Sequence, residues 1–187
     1  MTRWFKGALV VSALIAGCVS SQAQQLLNGS FEEPETQKEN SYGDLAANWG
    51  RWGNWMNRET GWTPTHSGQC LLGYHHWEIA ESDDSGIYQD IPGIPVGKTV
   101  LFSIYATKDD KTDAQSIEVR LEPLNGGQSI ASKTYSMDEI KSGGWSPLSI
   151  SGSSQTEGIR VLVIIKPRSE GPRNGAVKLD DAELAVQ

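Results

Sequence analysis

Beyond residue 24 the apolar residues of this chain come in short runs, rich in β-branched and aromatic side chains and cut off by turn residues before a helix could gain length. The stretch 99–107 sets the pattern. Val100, Phe102, Ile104 and Ala106 fall on one side of an extended chain and Leu101, Ser103, Tyr105 and Thr107 on the other. Val161, Val163 and Ile165 oppose Leu162 and Ile164 in the same way, and a run apolar on both sides belongs in the middle of a sheet. Strands are expected around 26–32, 49–57, 69–76, 86–91, 99–107, 116–122, 130–135, 146–150, 159–166 and 176–186, with one helical turn over 137–141. Gly93, Gly97, Asn125, Gly143 and Gly171 mark turns between them. No long linker, repeat or low-complexity tract divides 24–187, which is read as a single all-β domain: an antiparallel β-sandwich of jelly-roll type.

The N-terminus reads as an export signal. Arg3 and Lys6 precede an apolar run over 8–16, shorter than the roughly 20 residues a bilayer span needs, and Ser21, Gln22 and Ala23 form a small-residue cleavage site. A second cut is open, because Ile15-Ala16-Gly17-Cys18 resembles a bacterial lipobox that would leave a lipid on Cys18. The product is expected to be secreted, periplasmic or held at the cell surface, with membrane contact only through that lipid. Loss of residues 1–23 removes two cations and no acid, so the exported form is more acidic than the −7 of the whole chain. Such a charge argues against nucleic acid as a partner. Cys18 and Cys70 are not a disulfide framework, and Cys70, in an apolar stretch, reads as a small core residue.

Four of the seven tryptophans, Trp49, Trp52, Trp55 and Trp62, fall within 49–62 among glycines and asparagines, and Trp77 follows His75 and His76. An indole offers a flat apolar face that matches the C–H-lined face of a sugar ring, and nearby amides, imidazoles and carboxylates can bond its hydroxyls. The alternative is that the same indoles fill a sandwich core. The sugar-binding set expected from strand phase and neighbours is Trp52, Trp55, Trp62, His75 and Trp77. Trp49 and Trp145 are assigned to packing. If 49–57 is one strand, Trp49 and Trp55 share a face and Trp52 takes the other unless a bulge intervenes.

The motifs LLNGSFEE at 26–33, THSGQCLL at 65–72, IYQDIPGIPVGKTVLFSIYATKDD at 87–110 and VKLDDAEL at 177–184 together resemble the jelly-roll carbohydrate-binding modules of the family 4/9/22 type, within the galactose-binding-like superfamily. The resemblance runs over essentially all of 24–187. It implies a structural Ca²⁺ where the first and last strands meet, held by Glu32, Asp180 and a main-chain carbonyl near Ser67–Gln69, with Asp181 as the alternative to Asp180. Hard Ca²⁺ readily mixes carboxylates with carbonyls. Adjacent His75 and His76 point to opposite faces of a strand, so a shared transition-metal site is not expected.

No catalytic motif stands out. There is no G-x-S-x-G, H-E-x-x-H or phosphate loop, and none of the many carboxylates is marked as half of a glycosidase pair. The expected function is non-catalytic binding of a polysaccharide or glycan by tryptophan stacking. A cell-surface adhesion or structural sandwich without a sugar ligand is one alternative, and a polysaccharide-degrading enzyme on a jelly-roll scaffold is the other.

Overall fold

The short alternating runs do form strands. A computed structural model describes residues 25–35, 44–53, 56–60, 64–75, 84–112, 114–169 and 175–187. Residues 1–23, with the expected export signal and Cys18, lie outside them, as do Trp55, Trp62, His76 and Trp77. The strands are β1 (Gly50–Trp52), β2 (Met56–Thr60), β3 (Cys70–Tyr74), β4 (Ser85–Pro92), β5 (Thr99–Lys108), β6 (Ala114–Pro123), β7 (Ala131–Ser136), β8 (Ser146–Ser153), β9 (Gly158–Pro167) and β10 (Val177–Val186). One 3₁₀ turn, Met137–Glu139, follows β7 where a helical turn was expected.

Two five-stranded sheets stack face to face, in the orders β1-β4-β9-β6-β7 and β2-β3-β10-β5-β8, with every strand pair antiparallel. This is the all-β jelly-roll sandwich read from the sequence. Val100, Phe102, Ile104 and Ala106 of β5 meet Val161, Val163 and Ile165 of β9 in one core, together with Leu72 and Tyr74 of β3. β9 and β10 are the central strands. Leu162 and Ile164, on the far side of β9, are also buried.

Two expected strands fail, each for a local reason. Over 26–32 the chain turns back instead of extending, because Asn28 and Phe31 take left-handed backbone angles, φ 49° and 57°. The Asn28 side chain holds the loop: its Oδ1 accepts the Glu33 N–H, and its Nδ2 donates to the Glu33 and Ala47 carbonyls. Gln89 substitutes for a strand neighbour by accepting from the Leu27 N–H and donating to the Leu27 carbonyl, at 2.7 and 2.9 Å. The expected strand 49–57 is two strands in opposite sheets, β1 and β2, so strand phase does not relate Trp49, Trp52 and Trp55. Gly53, at φ 72°, lies where the chain leaves β1.

Candidate functional site on the outer face of the first sheet

Antiparallel register lays out the outer face of the first sheet in cross-strand rows. One row runs Trp52, Gly86, Ile164, Glu118, Thr134; the next runs Gly50, Tyr88, Leu162, Arg120, Ser132; a third holds Asp90, Arg160 and Glu122. Each of the two aromatic residues faces a glycine across the strand pair. A Cβ on Gly86 would stand 2.4 Å from the Trp52 ring, and one on Gly50 would stand 2.3 Å from the Tyr88 ring. Both rings therefore lie down on the sheet over bare backbone rather than standing off it, with centroids 6.3 Å apart and planes tilted by 39°. The two half-buried rings form a flat aromatic floor on this face.

Charged side chains continue that floor. The Arg160 guanidinium lies 4.7 Å from the Tyr88 ring centre and makes a two-pronged bond to Asp90, Nε to Oδ1 at 2.6 Å and Nη2 to Oδ2 at 2.9 Å. Glu118, only 6% exposed, accepts from the Ser132 hydroxyl and from Arg120 Nε, both at 2.8 Å, with Lys166 Nζ 3.8 Å away. Arg120 also reaches Glu122 at 3.2 Å. Burial by itself raises the Glu118 pKa, but the Ser132 and Arg120 hydrogen bonds and the Arg120 and Lys166 charges outweigh it and hold the carboxyl below its ordinary value. Glu118 is thus an ionised acceptor, unsuited to the role of general acid.

Of the five residues expected to bind sugar, Trp52 is on this face, while Trp55, Trp62 and Trp77 lie outside the described residues. His75 lies at the end of a strand of the other sheet. It follows β3, and its Nε2 meets Glu59 of β2, whose carboxylate lies against Gly73. Trp52 and His75 therefore do not share a surface. Tyr88, Glu118, Arg120 and Arg160 were missed, since in the sequence each is an ordinary strand residue; the available signal was the spacing of Gly50 and Gly86 against the aromatics, readable only with the register known. Trp49 is core, as expected: 4% exposed, tilted against Phe31 at 5.3 Å, its Nε1–H donating to the Asn28 carbonyl. Trp145, assigned to packing, is half-buried and lies outside the main core.

The candidate cation ligands are brought together around one loop. A β-bulge in β10, with Asp181 at φ 46°, aims Asp180 and Asp181 at residues 66–67. Asp180 Oδ2 accepts the His66 and Ser67 N–H groups at 2.8 and 3.3 Å, and Oδ1 accepts the Asp181 N–H. Glu32 Oε1 accepts the Gln69 and Cys70 N–H groups at 2.8 and 2.9 Å, so Gln69 reaches Glu32 through its N–H. Asp181 is engaged with His66 Nδ1 at 2.5 Å and the Ser67 hydroxyl at 2.7 Å. Asp180 is 0% exposed, and burial, aided by the Asp181 charge and only partly offset by the N–H bonds, pushes its pKa up to about 6. A buried carboxylate met by dipoles but by no formal positive charge fits a hard cation. Among the described residues no three or more His, Cys, Asp or Glu side chains converge, so the rest of such a shell would be main-chain oxygen.

No family model and no curated protein matches the chain in sequence. Solved structures match it in fold. The carbohydrate-binding module TmCBM61, solved in complex with β-1,4-galactotriose, superposes with a TM-score of 0.64 at 16% identity, over 89% of this chain and 100% of its own. A Stig cyclase from Fischerella sp. TAU superposes with a TM-score of 0.61 at 14% identity, over 89% and 98%. A family 16 carbohydrate-binding module gives 0.52 at 11%, over 85% and 97%. The chain therefore has the jelly-roll sandwich found in carbohydrate-binding modules. The cyclase shows that the same sandwich also carries catalysis.

Proposed function

We propose that the chain is an exported, non-catalytic carbohydrate-binding protein, a module of the 4/9/22 type, that holds a polysaccharide or glycan on the outer face of its first sheet. The observation that carries this reading is the pair of aromatic rings laid flat over Gly50 and Gly86 beside the Arg160–Asp90 fork. Trp52 stacks on a sugar ring, while Arg160, Asp90, Arg120 and Glu118, already oriented by one another, exchange hydrogen bonds with hydroxyls. Among the described strand residues of this face three acids (Asp90, Glu118, Glu122) stand against three bases (Arg120, Arg160, Lys166), which favours a neutral glycan. If one indole covers on the order of 100 Å² of sugar, stacking contributes roughly 2–3 kcal/mol. Association costs several kcal/mol, so single-site affinity falls in about the mM to μM range.

A structural Ca²⁺ belongs to the same proposal. Glu32 and Asp180 would hold it, supplying the missing positive charge between the N-terminal segment and β10 and pinning 66–70 in place.

The deciding experiment is a glycan array probed with the 24–187 protein, followed by titration of each positive ligand. Trp52→Ala is expected to weaken binding by about 1–3 kcal/mol, with the melting temperature within a few degrees of the parent. Equal binding by parent and variant sinks the proposed face. Release of reducing or unsaturated ends on long incubation would instead make the protein an enzyme.

A further inference from the structure

A second surface, on the opposite sheet, has the chemistry of a ligand site and shares no residue with the Trp52 face. Thr107 and Lys178 lie side by side on β5 and β10, and the turn before β8 brings Trp145 to the same place. Between them and Thr65 is a cleft of about 530 Å³, within the range of about 300–1,000 Å³ typical of small-molecule sites.

Trp145, the aromatic residue that lines the cleft, is held by two rings outside the lining. His66 stacks on Tyr105 at 3.7 Å between ring centres, with planes 17° apart, and Trp145 meets His66 edge-on at 5.7 Å and 75°. That contact fixes the indole without burying it. The two preceding glycines keep its approach clear: a Cβ on Gly143 would touch nothing within 4 Å, and one on Gly144 would meet only the Lys141 side chain at 3.7 Å. The polar side is equally ordered. The Lys178 side chain is 7% exposed, and its Nζ donates to Asp109 Oδ1 at 3.2 Å; Asp109 Oδ2 accepts the Ala176 N–H at 2.9 Å, while 47% of that side chain is open to solvent. The exposed Asp109 carboxylate, held in place by the buried Lys178 ammonium, presents an oriented acceptor to a sugar hydroxyl.

We propose that this cleft is a second carbohydrate subsite, taking one sugar residue: its ring on Trp145 and a hydroxyl on Asp109, which Lys178 holds in place. A balanced Lys–Asp pair and an indole face suit a neutral sugar better than an anion or a peptide. The site does not depend on the Trp52 reading.

Titration of the ¹⁵N-labelled 24–187 protein with galactose, arabinose, xylose and mannose, followed through the indole N–H resonances, tests it. At least one of these sugars is expected to shift the Trp145 signal saturably. Trp52→Ala should leave that shift intact, and Asp109→Asn should weaken it at least about tenfold. A Trp145 signal unmoved by all four sugars up to about 100 mM, a shift that disappears in Trp52→Ala, or one indifferent to Asp109→Asn overturns the proposal. Because the main readout uses unsubstituted protein, it stands even if Trp145→Phe, needed only for assignment, folds poorly. A responsive Trp145 beside a silent Trp52 would show that this subsite stands without the Trp52 face.

Discussion

Trp49 and Trp52 stand three residues apart and meet opposite environments. Trp49 is enclosed against Phe31, with its Nε1–H satisfied by the Asn28 carbonyl, whereas Trp52 lies over Gly86 with its outer side bare of core contacts. Trp49→Ala is expected to cost about 3–5 kcal/mol by leaving a cavity and an unpaired carbonyl, read as a lower denaturation midpoint without a change in slope. The same truncation at Trp52 should barely move that midpoint. Residue type alone does not separate the two indoles; what separates them is that Asn28 and Phe31 fold back beneath one of them. Trp145 carries the same lesson in reverse, since a tryptophan after two glycines looked like turn packing and instead stands at the mouth of a cleft.

At the scale of the element, β6 shows how a strand serves two masters. Ile117, Val119 and Leu121 enter the core, while Glu118, Arg120 and Glu122 form the charged part of the outer face. The folded-state pKa of Glu118 is depressed below the ordinary value near 4.5, so its contribution to stability is complete above that value and is lost as pH falls through the folded-state pKa. Glu118→Gln is therefore expected to cost about 1–3 kcal/mol near neutrality. The gap between variant and parent should close on acidification below about pH 4.5; a gap independent of pH would show that the Arg120–Ser132 network does not depend on the charge. Strand positions themselves were legible, because period-two alternation is a local property of an extended chain. The split of 49–57 was not. Leaving one sheet for the other requires only a few residues near Gly53, and nothing in the local pattern names the strand that each half will pair with.

Across the whole molecule, one loop ties the first described segment to the last strand. Glu32 and Asp180 fasten the same loop from opposite ends of the domain, and Asp180 is ionised only at a cost when buried without a cation. Calcium that binds the folded state alone should raise the melting temperature with concentration above its Kd. In protein first stripped of metal, identical melting in excess EDTA and in millimolar calcium counts against the site, and Glu32→Gln should remove most of any calcium-dependent shift. The sequence by itself determined the all-β class, the strand spacing and the core stripes of β5 and β9, because these rest on short-range periodicity. Only the tertiary structure decided which aromatics share a surface. It put Trp52 with Tyr88 and Arg160 on one sheet, and set His75 and Trp145 at the ends of strands of the other. That division depends on register and sheet order, which are fixed by contacts between residues far apart in the chain.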